Sequence, residues 1–349
     1  MQSADGKVQI ELFSTAPQSA HVDAGRFVPL TRDVARWSEE AGCRGILVYT
    51  DNRLVDPWLV AQLVIEATEQ LAPLVAVQPA YMHPYSVATM ISSLAFLHGR
   101  RVFLNMVAGG FKRDLEALGD TTPHDERYAR LVEYTSLVLA LLDTDGPVNF
   151  AGRFYEAHGL VLRPPLDPEL RPGVFLSGSS EAGRAAARAL GATAVEYPQP
   201  GDAYLDSGPA TGPGAGIRIG IVADPDPDRA WHLALERFPE DRKGQIAHRL
   251  AMQVSDSEWH RQLSELGRES AASVDPATGR PRSPYWLGPF ENYRTFCPYL
   301  VGSDDEVAAE LARYIRAGFR VFILDIPAAR EDLEMAGRVF RLALDKAAS

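Results

Sequence analysis

Cysteines and long apolar runs are scarce in this sequence. Its 349 residues include two cysteines, Cys43 and Cys297, too few for a disulfide framework and typical of a reducing compartment. No stretch approaches the roughly 18 consecutive apolar residues of a membrane-spanning helix. The amino terminus, MQSADGKVQIELFS, lacks the apolar core of a signal peptide. We therefore expect a cytoplasmic protein with no membrane partner and no cysteine-bound metal.

Clustered positive charge is also lacking. The formal net charge is −11, with 35 Lys and Arg against 46 Asp and Glu. Nucleic acids and anionic membranes bind dense clusters of Lys and Arg, so we expect neither as a partner. A small anionic ligand is compatible with this charge, because local backbone dipoles can hold it even in an acidic protein.

The sequence does contain a series of short β-rich runs separated by segments with helical spacing. Several runs are continuously apolar, the pattern of parallel strands covered on both faces. Eight such strands alternating with helices predict a (β/α)8 TIM barrel. An open doubly wound sheet is the alternative, which the absence of a G-x-G-x-x-G turn after the first strand disfavours. The predicted strands are VQIELF (8–13), GILVYT (45–50), LVAVQP (74–79), VFLNMV (102–107), VFLSGS (174–179), TAVEYP (193–198), IRIGIV (217–222) and VFILDI (321–326).

The gaps between these strands are uneven. The longest, residues 223–320 before the last strand, is rich in Pro, Gly, Arg and aromatic residues around 275–300. We predict one barrel domain over 1–349, in which 223–320 is an insertion with extra helices and a mobile lid at about 265–300. The aromatic side chains of this predicted lid either shield the active site from water or pack the insertion against the barrel. The predicted helices span 29–41, 57–70, 84–98, 126–142, 181–190 and 304–317.

Polar residues near the carboxyl ends of the strands are candidates for chemistry, because barrel active sites lie there. His83, in YMHPYS after the third strand, is a candidate for acid–base work, and a structural or solvated histidine is the alternative. Asp325, in the last strand run, is a second candidate, with loop capping as the alternative. Phe13 and Gln78 end the first and third strands.

Small residues follow two of the strands. VFLSGSSEAG (174–183) places Ser177–Ser180 between a strand and a helix, where free N–H groups and the helix dipole favour an anion such as phosphate. An N-cap serine, worth about 1 kcal/mol, explains the same stretch without a ligand. NMVAGG (105–110) also lets a ligand approach the backbone, and an ordinary glycine turn is its alternative.

Three stretches in register resemble the luciferase-like flavin monooxygenase superfamily, and its alkanesulfonate monooxygenase group most closely. They are RVFLNMVAGG (101–110), HDERY (124–128) and FLSGSSEAG (175–183). DPWLVAQ (56–62) and the segment 300–324 fit the same template, so the resemblance covers nearly the whole chain.

The resemblance implies a bacterial luciferase-like barrel that oxygenates a small organic substrate through a flavin (hydro)peroxide. It implies FMN, used as FMNH2 from a separate NAD(P)H-dependent flavin reductase, with O2 as co-substrate and a homodimer or homotetramer as the assembly. Tyr128, Ser179 and Ser180 match positions that hold the FMN phosphate, and Asn105 matches the strand end beside the ring. The full set of implied cofactor-binding residues is Asn105, Val107, Ala108, Tyr128, Ser177, Gly178, Ser179 and Ser180.

The substrate side departs from the alkanesulfonate enzymes. Leu54 replaces their cysteine and Gln78 their third-strand arginine, while IRIGIVADPDPD lacks their arginine and histidine. We therefore expect a substrate other than a simple alkanesulfonate. A deazaflavin (F420)-dependent oxidoreductase and a non-catalytic flavin-binding relative are the alternatives. The predicted catalytic candidates are His83, Arg294 and Asp325, and the predicted substrate pocket contains Phe13, Leu54, Gln78 and Trp286.

Overall fold

The computed structural model of the chain describes residues 1–2, 6, 8–109, 112–210, 212, 214–253, 263, 281 and 283–348. These residues group into two compact units. Unit 1 consists of Met1–Thr15, Glu40–Cys43 and Val195–Ser349, and unit 2 of Ala16–Glu39 and Arg44–Ala194. Of the predicted lid, residues 265–280 and 282 lie outside the described residues.

Unit 2 contains four parallel strands. They are β2 (Gly45–Val48), β3 (Ala72–Val77), β4 (Phe103–Val107) and β7 (Val174–Ser177), paired in that order. An antiparallel hairpin of β5 (Val148–Ala151) and β6 (Glu156–Leu160) precedes β7. The helices are α1 (Ala24–Glu40), α2 (Pro57–Ala67), α3 (Pro84–His98), α4 (Lys112–Ala117), α5 (His124–Asp143) and α6 (Glu181–Leu190).

Unit 1 contains a second parallel set. β8 (Thr193–Glu196) pairs with β9 (Gly216–Asp224), β9 with β12 (Val321–Leu324), and β12 with β1 (Glu11–Thr15). The second half of β9 pairs instead with β11 (Tyr299–Ser303), which β10 (Tyr285–Trp286) joins in antiparallel fashion. Among the described residues of this unit, the helices with defined bounds are α7 (Pro227–Arg237), α8 (Arg242–Gln253), α9 (Gly288–Glu291), α10 (Asp304–Ala317) and α11 (Arg330–Ala348).

Eight parallel strands (β1–β4, β7–β9 and β12) alternate with helices along the chain, which confirms the predicted (β/α)8 barrel fold. Each corresponds to one of the eight apolar runs. The helices at 84–98, 181–190 and 304–317 agree with prediction at both ends. The single domain over 1–349 and the insertion at 223–320 stay predictions. Among the described residues, no helix is long and apolar enough to cross a membrane.

Local sequence signals explain where helices begin and end. In α10, the Ser303 hydroxyl accepts a hydrogen bond from the Glu306 N–H at 3.2 Å, and the Glu306 carboxylate accepts one from the Ser303 N–H at 2.7 Å. This capping box satisfies two backbone donors reciprocally. The helix ends at Gly318, whose φ of 113° suits a residue without a Cβ.

Four strands are absent from the sequence prediction: β5, β6, β10 and β11. β6 reads EAHGL and is mostly exposed, so it has no apolar run to reveal it. β10 has two residues. β11 follows Pro298 and contains Gly302, and both residue types are common in turns. In each case pairing with another segment, rather than local composition, makes the strand.

Candidate functional site

The carboxyl ends of β4 and β7 lie side by side in unit 2. Their register pairs Val107 with Ser177 and Asn105 with Phe175. The Ser177 hydroxyl donates to Asn105 Oδ1 at 2.9 Å, and the Asn105 side chain is buried. Ala108, just past β4, is buried as well. The structure therefore brings together the small and polar residues that the sequence places at these two strand ends.

Two adjacent serines have different roles where β7 leads into α6. Ser180 is the N-cap of α6, and its hydroxyl accepts from the Gly183 N–H at 3.1 Å. Ser179 is 8% exposed, and its buried Oγ has no hydrogen-bond partner among the described residues. An unsatisfied buried hydroxyl costs about 1–3 kcal/mol. The capping interpretation therefore applies to Ser180 and the ligand interpretation to Ser179. A polar ligand at this turn would supply the hydrogen-bond partner that the Ser179 Oγ lacks among the described residues.

Glycine at two positions of this segment leaves room for neighbouring atoms to approach the backbone closely. A Cβ on Gly178 would lie 2.5 Å from the Tyr128 hydroxyl, and a Cβ on Gly183 would lie 3.0 Å from the Gly178 carbonyl oxygen. The Tyr128 hydroxyl therefore lies against the Gly178 backbone. Burial raises the pKa of Tyr128, while its hydrogen bond with Ser180 acts in the opposite direction. The phenol consequently keeps its proton at neutral pH and can donate it to an anion.

An ion pair anchors the first turns of α5, which carry Tyr128. Arg130 Nη2 donates to Asp120 Oδ2 at 2.5 Å, and the Thr122 hydroxyl donates to Asp120 Oδ1 at 2.6 Å. Burial alone would raise the pKa of Asp120, but these hydrogen bonds outweigh it and lower the pKa to about 2. The His124 ring packs edge to face on Tyr128, with centroids 5.2 Å apart. Neither Asp120 nor Arg130 is among the predicted site residues; an Asp and an Arg on either side of the predicted helix start were the available signal.

Taken together, these groups fit a phosphate. The Ser179 hydroxyl lacks a partner among the described residues, the Tyr128 hydroxyl lies next to the same turn, and the ten-residue helix α6 begins there. A helix N-terminus favours negative charge through its free N–H groups and its dipole. No group of three or more His, Cys, Asp or Glu side chains in the described part of the chain could hold a metal ion.

Three other predicted residues lie in unit 2. His83 is exposed and is the N-cap of α3, with its Nδ1 accepting from the Tyr85 N–H at 3.1 Å. Gln78 is buried just past β3. Leu54 is half-buried in the turn after β2, and its N–H donates to the Asp51 carbonyl at 3.2 Å. The catalytic role of His83 and the pocket roles of Gln78 and Leu54 stay predictions.

Asp325 belongs to a buried charged network in unit 1. Arg218 Nη2 donates to Asp325 Oδ1 at 3.0 Å, and the Tyr299 hydroxyl donates to Oδ2 at 2.9 Å. Arg218 Nη1 donates to the Tyr197 hydroxyl at 3.1 Å. Burial would raise the pKa of Asp325, but the Arg218 charge and the hydrogen bonds outweigh it and lower the pKa. The carboxylate is therefore ionised at neutral pH, with both oxygens engaged.

Arg218 is not among the predicted site residues, because it lies in the middle of its strand and not at the carboxyl end. Arg218 is 5% exposed within the apolar run IRIGIV. A buried guanidinium is costly unless it is paired, so an arginine in the middle of an apolar strand was the available signal for a buried acidic partner.

The remaining predicted residues also lie in unit 1. Arg294 is exposed and pairs with Asp241 at 3.0 Å. Phe13 is fully buried in β1. Trp286 is half-buried and packs edge to face against Trp231, with ring centroids 5.6 Å apart. Both residues belong to the predicted insertion, so the two alternatives for the lid aromatics stay open. The roles of Arg294, Phe13 and Trp286 at a site stay predictions.

Comparison with known proteins gives a match along most of the chain. A sequence model of the luciferase-like monooxygenase family matches residues 8–320. The chain is 31% identical over 336 residues to the 4-(gamma-L-glutamylamino)butanoyl-[BtrI acyl-carrier protein] monooxygenase BtrO of Niallia circulans. That alignment covers 95% of this chain and 96% of the relative.

Two solved structures illustrate the likeness in fold. The oxygenating constituent of 3,6-diketocamphane monooxygenase from the CAM plasmid of Pseudomonas putida, in complex with FMN, has a TM-score of 0.69 at 15% identity, covering 98% of both chains. An F420-dependent secondary alcohol dehydrogenase in complex with an F420-acetone adduct has a TM-score of 0.66 at 15% identity, covering 96% of this chain and 99% of that one. At such identity the likeness shows the fold alone.

Replacing Asp325 with Asn should destabilise the protein by about 3–5 kcal/mol, because Arg218 would keep its buried charge without a counter-ion. Urea denaturation measures the effect. The double variant Arg218→Met/Asp325→Leu should recover most of the loss, because it removes both charges.

The control is Asp145→Asn, which breaks the exposed pair with Arg163 and should change stability by no more than about 0.5 kcal/mol. An Asp325→Asn variant as stable as this control would contradict the role assigned to the buried pair.

Proposed function

This chain belongs to the luciferase-like monooxygenase family, and we propose that it is an FMN-dependent two-component monooxygenase acting on a small organic substrate. It is an oxidoreductase, so a non-catalytic flavin-binding role is not retained. The observation that carries the FMN assignment is the buried Ser179 Oγ, which lacks a partner among the described residues, at the start of α6 beside Tyr128. A cytoplasmic location is part of the proposal and rests on the scarcity of cysteine.

We assign the FMN phosphate to Ser179, Ser180, the Gly178 backbone and Tyr128. The phosphate would give the Ser179 hydroxyl its missing partner, and α6 would favour its negative charge. The residues at the carboxyl ends of β4 and β7 would then lie beside the flavin ring. When bound, reduced FMN would supply the electrons with which O2 is activated. The protein would bind and orient the flavin and the substrate, and it would exclude water from the site. The ring-side residues are Asn105, Val107, Ala108 and Ser177.

The substrate assignment follows from what the chain lacks and from its relative. The arginines and cysteine expected for an alkanesulfonate are replaced, for example by Gln78 and Leu54. The relative of 31% identity is named for an acyl group held on a carrier protein. A carrier-bound acyl group is therefore among the first substrates to test. His83, Arg294 and Asp325 keep their proposed catalytic roles, and Phe13 and Trp286 keep their proposed roles in the substrate pocket.

A deazaflavin-dependent hydride transfer is the second candidate function, favoured by the likeness in fold to the F420 enzyme. The two candidates differ in their need for O2. With chemically reduced FMN, small organic substrates and acyl-carrier thioesters under 18O2, the monooxygenase proposal predicts one labelled oxygen atom in the product. Substrate oxidation or reduction with F420, independent of O2 and absent with FMN, would instead support hydride transfer.

Ser179→Asp should weaken FMN binding by about 100-fold or more, because a carboxylate would oppose the phosphate and remove a hydroxyl donor. Fluorescence titration measures the affinity. Riboflavin, which lacks the phosphate, should bind the variant and the wild type with similar affinity.

The matched control is Ser207→Asp, which places the same charge on an exposed loop of unit 1 and should leave FMN affinity unchanged. An FMN affinity in Ser179→Asp equal to that of this control would contradict the phosphate assignment.

A homo-oligomer is proposed through the outer face of α3. This 15-residue helix contains no Asp, Glu, Lys or Arg, while Phe96 and Leu97 are 73% and 68% exposed. In a chain of net charge −11, an uncharged apolar face is a surface on which two copies meet without repulsion. We therefore propose that a second copy of the chain binds the outer face of α3. The flavin reductase would make its transient contact at another surface.

Phe96→Glu/Leu97→Glu should convert the oligomer to monomers, because it places charge in the apolar contact. Sedimentation velocity measures the mass. Leu205→Glu, at an exposed leucine of unit 1, is the control and should keep the assembly. A wild-type monomer, or an oligomer unaffected by the double variant, would contradict this interface.

A further inference from the structure

The loop between β3 and α3 holds His83 in a fixed position. The Tyr134 hydroxyl donates to the Met82 carbonyl at 3.0 Å, and the Tyr81 hydroxyl donates to Asn52 Oδ1 at 2.5 Å. Pro84, the next residue, begins α3 with a constrained φ and no N–H of its own. These hydrogen bonds therefore hold the loop that carries His83 at the carboxyl end of a barrel strand, where the active sites of (β/α)8 enzymes lie.

The hydrogen bond that caps α3 determines which ring nitrogen of His83 carries the proton. Nδ1 accepts from the Tyr85 N–H at 3.1 Å. A nitrogen that accepts a hydrogen bond is unprotonated, so the proton of the neutral ring is on Nε2. The ring also packs edge to face with Tyr155, with centroids 6.1 Å apart. Turning the ring over would break the cap, so one tautomer is favoured.

We propose that His83 acts as a neutral hydrogen-bond donor through Nε2–H, and that the α3 cap selects this tautomer. The proposal rests on the proposed monooxygenase function. A general base at Nε2 would need the proton on Nδ1, which would leave the Tyr85 N–H without its acceptor. A fixed donor suits an oxygen atom on which negative charge develops, and no proton needs to leave the ring.

Nitrogen-15 NMR of histidine-labelled, flavin-free protein tests the tautomer directly. The His83 signals are identified by their loss in His83→Asn. The proposal predicts a bare Nδ1 and a protonated Nε2 at neutral pH. A proton on Nδ1 would overturn it. Because no flavin is present, this result does not depend on the proposed function.

Two variants separate a donor from a base. Asn and Asp both cap helices well, so His83→Asn and His83→Asp should keep the wild-type Tm, whereas His83→Ala should lower it. Asn retains a donor, while Asp has none and is itself a base. The rate at which O2 oxidises bound FMNH2 should therefore fall about 100-fold in the Asp variant and much less in the Asn variant.

The opposite order, with Asp active and Asn inactive, would show a general base and overturn the proposal. Equal rates in all variants would overturn it as well. Failure of the wild type to bind FMN would instead overturn the proposed function, and it is recognised before any variant is made.

Discussion

A buried hydroxyl needs a hydrogen-bond partner, and the Oγ of Ser179 finds none in the part of the chain that the structure describes. Its neighbours explain why it is left over. Ser180 caps α6, so the helix does not use Ser179, and Gly178 lets the Tyr128 hydroxyl approach the same turn. The start of α6 and the Tyr128 hydroxyl beside this turn both favour an anion as the partner of the Ser179 Oγ.

A buried pair in unit 1 has its charges balanced within the protein. Arg218 and Asp325 neutralise each other, and tyrosine hydroxyls take up further hydrogen bonds. A buried charge beside its counter-ion is neutralised within the protein, whereas the Ser179 hydroxyl, next to the start of α6 and the Tyr128 hydroxyl, is open to a ligand.

Local signals made the fold predictable. Continuous apolar runs identified the eight barrel strands, and the serine and acidic residues at 303–306 identified the start of α10. Long-range pairing was not predictable: Arg218 and Asp325 are 107 residues apart, and β11 is a strand because β9 lies beside it. The predicted helix at 181–190 implies Ser180 as its cap, as observed. The sequence does not show that the neighbouring Ser179 Oγ is buried without a partner among the described residues, because burial depends on packing by other segments.

We propose above all that the turn before α6 holds the phosphate of FMN. A crystal structure of the protein soaked with FMN tests it most directly. We expect a phosphate oxygen within hydrogen-bond distance of Ser179 Oγ and of the Tyr128 hydroxyl. A phosphate bound elsewhere, with Ser179 Oγ still unpaired or bonded to water alone, would contradict it.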